Sequence, residues 1–126
     1  MPGTDRSDLP EVGGPTPGRL PGPQERRPAA MCLGAGHVVV HGNPAFIATF
    51  GPASIGLPAR EGLVTLPRSA FAALDAAFVR GRPVARWIRW TGAEWRLTVA
   101  TRTDVESGEV YGVSFHLRPR EDGPGH

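Results

Sequence analysis

Val38-Val39-Val40-His41-Gly42-Asn43-Pro44-Ala45-Phe46-Ile47-Ala48-Thr49-Phe50-Gly51 changes period in its middle. The β-branched run at its start reads as a strand, because branched side chains pack well on a pleated surface. Asn43 then reads as a helix N-cap, since its side-chain oxygen can accept from the free amides of a first helical turn. Pro44 costs nothing at the first helical position, where its missing N–H would be unpaired anyway. Phe46, Ile47 and Phe50 fall on one helical face, and Gly51 stops the helix. Asn43 and Pro44 are therefore a structural junction that sets the angle at which a short helix leaves a sheet.

Toward the N-terminus, Met31-Cys32-Leu33 is a short apolar run and Gly34-Ala35-Gly36 a turn. With a strand over His37 to His41 they predict a β-hairpin. Residues 1–28 are punctuated by Pro2, Pro10, Pro15, Pro17, Pro21, Pro23 and Pro28 and by several glycines. Leu9, Val12 and Leu20 are the only large apolar side chains there besides Met1, too few to offset the entropy of ordering the chain. Residues 1–28 are read as a disordered tail, 29–118 as one domain and 119–126 as a flexible C-terminal tail. Pro15-x-Pro17 and Pro21-x-Pro23 do not make a PxxP ligand with a flanking basic residue.

Toward the C-terminus, residues 52–66 are rich in Pro and Gly and predict small helical pieces, one of them across Ala59-Arg60-Glu61-Gly62. Pro67 to Arg80 is the best helix. Phe71, Leu74 and Phe78 form one stripe, alanines fill the rest, and Gly81 and Pro83 end it. Three strands follow. Val84, Ile88 and Trp90 alternate against Trp87. Trp95, Leu97 and Val99 share a face across Glu94 to Arg102, as do Tyr111, Val113, Phe115 and Leu117 across Glu109 to Leu117.

The net charge is +2, and all 14 basic residues are arginine. The arginines are scattered, so a solvated surface is expected rather than a nucleic-acid face. One cysteine, Cys32, excludes an intramolecular disulfide framework and reads as a small buried hydrophobe. No run of residues is long and apolar enough for a membrane span, and no leader pattern is present, so the expected compartment is the cytoplasm.

The order of these elements, and several short motifs within them, resemble the PAS domain family. The motifs are Val40-His41-Gly42-Asn43-Pro44-Ala45-Phe46 at the strand-to-helix junction and Phe50-Gly51 followed by Ile55-Gly56 through the small helices. Gly81-Arg82-Pro83-Val84 leads into the third strand. Gly92 with Trp95-Arg96-Leu97-Thr98-Val99 resembles the fourth, and Gly108-Glu109-Val110-Tyr111-Gly112-Val113 the glycine-led fifth. The similarity covers about residues 31 to 118. It implies an α+β fold with a five-stranded antiparallel sheet and its helices on one face. It further implies a non-enzymatic sensor or interaction domain in signal transduction or regulation of transcription. Such a domain binds a small ligand, dimerises through its outer sheet face, or both. The chain ends soon after the fifth strand, so either output is expected from a separate signalling protein or the chain is a fragment or a diverged remnant.

A ligand pocket, on this reading, draws on Phe50, Ile55, Leu63, Phe71, Leu74, Trp87, Trp95 and Val113. No cofactor is required. The long helix has no histidine for haem, and residues 52–66 have no cysteine for a flavin adduct. His37 and His41 share a strand face at i, i+4, and His116 lies on the last strand; all three are read as solvent-facing rather than as metal ligands. Asp75 falls on the exposed side of its helix. No nucleophile, acid–base pair or metal spacing emerges. The competing readings are a small enzyme on a cone-shaped α+β fold and a flavin or haem carrier.

Overall fold

The computed structural model describes residues 27–120. The tails expected over 1–28 and 119–126 lie outside the described residues, apart from Arg27, Pro28, Pro119 and Arg120. Strands β1 (Ala29–Leu33) and β2 (Val38–Gly42) form the hairpin. Helix α1 (Pro44–Phe50), a 3-10 turn (Pro52–Ser54), α2 (Ala59–Gly62) and α3 (Arg68–Arg80) follow, then strands β3 (Val84–Trp90), β4 (Ala93–Thr103) and β5 (Val110–Pro119). The sheet is five-stranded and antiparallel, in the order β2-β1-β5-β4-β3. The hairpin and the C-terminal strands join where Cys32 on β1 lies opposite Val113 on β5.

Asn43 caps α1 as its chemistry requires and does more besides. Its Oδ1 accepts from Phe46 N at 2.8 Å and from Ala29 N at 3.1 Å, while Nδ2 donates to the carbonyl of Arg27 at 2.8 Å. One amide thus ties the start of β1 to the start of α1. Helix α3 begins at Arg68, with Pro67 as its cap, and ends at Gly81, whose φ of 70° is left-handed. That backbone suits glycine, and its N–H closes on Ala77 O.

The helices cover one face of the sheet. Phe46 from α1, Leu63, and Ala70, Phe71, Ala73, Leu74 and Ala77 from α3 pack on Ile88, Trp90, Leu97, Val99, Val113, Phe115 and Leu117. Two glycines permit close approach. A Cβ on Gly42 would lie 2.2 Å from the Phe46 ring, and one on Gly112 would lie 2.3 Å from the backbone oxygen of Cys32. Beyond β2, Val39 N donates to Leu57 O and Gly56 N to Val39 O, so the segment before α2 covers that sheet edge. Strand β3 is the other edge. Among the described residues, no helix is long and apolar enough to cross a membrane.

His37 departs from the sequence expectation. Strand β2 starts one residue later, at Val38, and His37 sits in the preceding turn with φ 54°. That left-handed backbone takes it out of the alternation it would have shared with His41 and turns its ring beneath the sheet. It is fully buried, whereas His41 and His116 are exposed as expected.

Candidate functional site

The space between helices and sheet is the first place to look for a ligand, and aromatic side chains occupy it. Phe46 and Phe50 lie 4.8 Å apart between ring centroids, Phe50 stacks on Trp90 at 5.5 Å and 13°, and Trp90 meets Trp95 edge-on at 4.7 Å. Phe46 also reaches Phe115 at 6.3 Å. These rings come from α1, β3, β4 and β5, so one aromatic row crosses the interior. The Trp90 indole is satisfied by Thr65 Oγ1 at 3.2 Å. Beneath α3, the gap among Leu66, Ala70, Leu74, Leu97 and Phe115 holds no volume that a water molecule could enter.

The structure brings seven of the eight expected pocket residues to this interior. Leu63, Phe71, Leu74 and Val113 belong to the core, and Phe50, Ile55 and Trp95 pack against it. Trp87 does not join them. Its neighbours Ile88 and Trp90 point inward by the two-residue period of β3, or lie on the same alternation, so Trp87 points out of the opposite face and is 50% exposed. Phe46, Trp90, Leu97 and Phe115, which also fill the interior, are not among the site residues expected from the sequence. The packing of α1 and α3 on the sheet is what brings them together.

One pairing of ionisable groups spans the elements. His37 Nε2–H donates to Asp75 Oδ1 at 2.7 Å, and the second carboxylate oxygen of Asp75 accepts from Arg60 Nη2 at 2.7 Å. The imidazole also stands edge-on to Phe78 at 5.9 Å. Asp75, expected on the free side of α3, is thus a bridge between the β1–β2 turn and α2. Partial burial pushes its carboxyl upward, but the hydrogen bonds and charges of Arg60 and His37 outweigh this and hold it below the usual carboxylate range. His37 Nδ1 is buried without a hydrogen-bond partner among the described residues. The single thiol, Cys32, is fully buried, and burial pushes it up to about 12, well out of the reactive range. Among the described residues, no cluster of His, Cys, Asp or Glu is placed to hold a metal.

The outer face of the sheet is a different surface. Register places Trp87, Arg96 and Arg118 side by side on β3, β4 and β5. Arg96 and Arg120 lie over the Trp87 ring, at 5.2 and 5.7 Å from its centroid. Arg120 also pairs with Glu94, and Arg89 stands opposite Glu94 in register. No carboxylate among the described residues pairs with Arg89, Arg96 or Arg118. Next along the strands come small side chains: Ala85, Thr98, Ala100, Ser114 and Ala29. Of these, Ala29, Thr98, Ala100 and Ser114 floor an open concavity of about 370 Å³ bordered by Met31, His41, Arg102 and His116. The His116 imidazole is held below the ordinary histidine range, by desolvation first and then by the charges of Arg118 and Arg27. The sequence reading took these arginines as scattered, and strand order is what gathers them.

No family model matches the chain, and no curated protein matches it. Solved structures do. A sensory box sensor histidine kinase from Vibrio cholerae superposes with a TM-score of 0.63 at 15% identity, covering 76% of this chain and 83% of that one. The PAS domain of the histidine kinase ThkA gives 0.60 at 12% identity, covering 73% and 98%. A fungal LOV domain photoreceptor gives 0.57 at 14% identity, covering 90% and 85%. At these identities the likeness establishes the fold. The chain is a PAS-like domain: a five-stranded antiparallel sheet with its helices on one face.

Proposed function

We propose that the chain is a non-enzymatic interaction module of a cytoplasmic signal-transduction or transcription-regulating system. It works by contact with a separate signalling protein through the outer face of its sheet, not by holding a small ligand inside. The observation that carries this reading is the filled interior. The aromatic row from Phe46 to Trp95 occupies the space between helices and sheet, and the gap beneath α3 does not admit water. A small ligand would have to displace packed rings, at a cost comparable to removing them from a core. The PAS and LOV domains of similar shape belong to sensor kinases and a photoreceptor, which supports a signalling role. The His37–Asp75 pair gives no support to an enzyme, since its imidazole is sealed from solvent.

Titration of the purified protein with riboflavin monophosphate and with haem tests this, read by tryptophan fluorescence and thermal unfolding. Trp90 and Trp95 line the space a ligand would enter, so they report on it directly. Unchanged emission and unchanged Tm are expected. Saturable quenching with a rise in Tm would overturn the reading in favour of a ligand-holding sensor.

A further inference from the structure

The concavity of about 370 Å³ on the outer face has the volume of a small-molecule site, and among the described residues no carboxylate lines it. Strand register sets its donors. Thr98 on β4, His116 on β5 and Ala29 on β1 lie in one row across the strands, and Ala100, Ser114, Met31 and His41 lie in the next. Thr98 and His116 are therefore direct neighbours, and Ser114 shares their face two residues earlier on β5. The Thr98 and Ser114 side chains are half-buried, yet neither hydroxyl makes a hydrogen bond among the described residues.

Cations stand around these donors. Arg118 follows His116 on the same face of β5, Arg102 follows Ala100 on β4, and Arg27 precedes β1. Asn43, at the border of the concavity, pins Arg27 by donating to its carbonyl. No ion pair neutralises Arg27, Arg102 or Arg118 among the described residues. The fields of Arg118 and Arg27 already oppose a proton on His116, after desolvation. The next carboxylate past Arg102 on the chain, Asp104, accepts from the Ser107 N–H at 2.9 Å.

An anion is what this field lacks, and two hydroxyls and an imidazole supply its short-range donors. Much of the remaining lining is apolar, with Ala29, Met31 and Ala100 beside the donors. A bare inorganic anion would leave those side chains uncovered. A nucleic-acid strand needs cations along an extended track, whereas the donors here converge on one patch.

We infer that this concavity binds a small carboxylate with an apolar body, its head held by Thr98, Ser114 and His116 and its body resting on Ala29, Met31 and Ala100. The inference goes beyond the interaction-module reading and does not depend on it. A carboxylate bound there changes the charge that the outer face shows to a partner.

The test is an NMR titration of the 15N-labelled full chain with benzoate, with benzamide and inorganic phosphate as comparisons. Benzoate should shift the amides of Thr98, Ala100 and Ser114 and the ring signals of His116, and the shifts should saturate. Benzamide has the same shape without the charge and should bind at least about tenfold more weakly. Thr98→Val with Ser114→Ala should weaken benzoate about tenfold or more while the spectrum stays folded. A carboxylate beside His116 favours its protonated form, so by linkage benzoate affinity should rise as pH falls from about 8 to about 5.5. His116→Gln should remove that rise, which gives a second reading if the double variant does not fold.

The inference is overturned if benzoate does not saturate the outer face by about 10 mM, or if its affinity is independent of pH in that range. It is overturned if benzamide binds as tightly, or if phosphate does, which would leave an adventitious ion only. Shifts of the same amides on dilution alone would assign the concavity to a second copy and overturn it too. Benzoate shifts at Leu63 and Leu74 instead would place the ligand inside, and only that result would take the interaction-module reading down as well.

Discussion

Trp87 and Trp90 lie three residues apart on one strand and have opposite fates. Trp90 is 4% exposed, stacked on Phe50 and bonded to Thr65; Trp87 is 50% exposed beneath two guanidinium groups. The same division runs through the whole sheet. Leu97, Val99, Phe115 and Leu117 close the inner face, while their neighbours Arg96, Thr98, Ser114, His116 and Arg118 form the outer one. A fold able to enclose a ligand has been filled on one side, and its polar and cationic groups are displayed on the other.

Substitutions should divide along the same line. Trp90→Ala should have the largest effect, a loss of about 3–5 kcal/mol read from urea unfolding, because a cavity opens in the aromatic row. A loss under about 1 kcal/mol would mean that the interior is already loosely filled. Gly112→Ala comes next, although its position is on the outer alternation. Its methyl would lie 2.3 Å from the Cys32 carbonyl, so β1 and β5 must part, and about 1–3 kcal/mol should be lost.

Asp75 gives a smaller effect with a pH signature. Its carboxyl is lowered in the folded state, so its contribution is present above the unfolded value of 3.8 and is lost as pH falls through the folded value. Asp75→Asn should therefore destabilise the chain at neutral pH, with the gap from wild type closing as the pH falls below about 4. A gap that does not depend on pH in that range would remove the charge from the explanation. Trp87→Ala should be the smallest, within about 1 kcal/mol, since an exposed ring on a polar face gives up little burial. A loss as large as that of Trp90→Ala would erase the distinction between the two faces.

Much of this was legible in the chain. Asn43-Pro44 announced its cap, because that chemistry is local: one side-chain oxygen and one missing amide. The inward alternation of Ile88 and Trp90, and of Leu97 and Val99, followed from the strand period. Helix α3 was read to within one residue at its start. What the sequence hid depends on contacts between distant elements. His37 looked like a strand residue among valines, and nothing local told of its left-handed φ or of Asp75 on α3 38 residues away. Trp87 does not belong with the pocket, and its parity against Trp90 along the strand is the local signal that separates the two. Whether the rings of α1, β3, β4 and β5 leave room for a ligand or fill it is a matter of three-dimensional packing. The arginine cluster was hidden for a similar reason: Arg96 and Arg118 become neighbours only through the β4–β5 register.

Collisional quenching of tryptophan fluorescence, by iodide and by caesium, tests the contrast between the faces most directly. Iodide should quench the wild-type protein more strongly than caesium, because the exposed ring lies under arginines, and Trp87→Phe should remove most of the iodide quenching. If Trp87→Phe quenches as the wild type does, or if caesium and iodide act alike, then the interior is open to solvent or the outer face is not cationic, and the division drawn between the two faces fails.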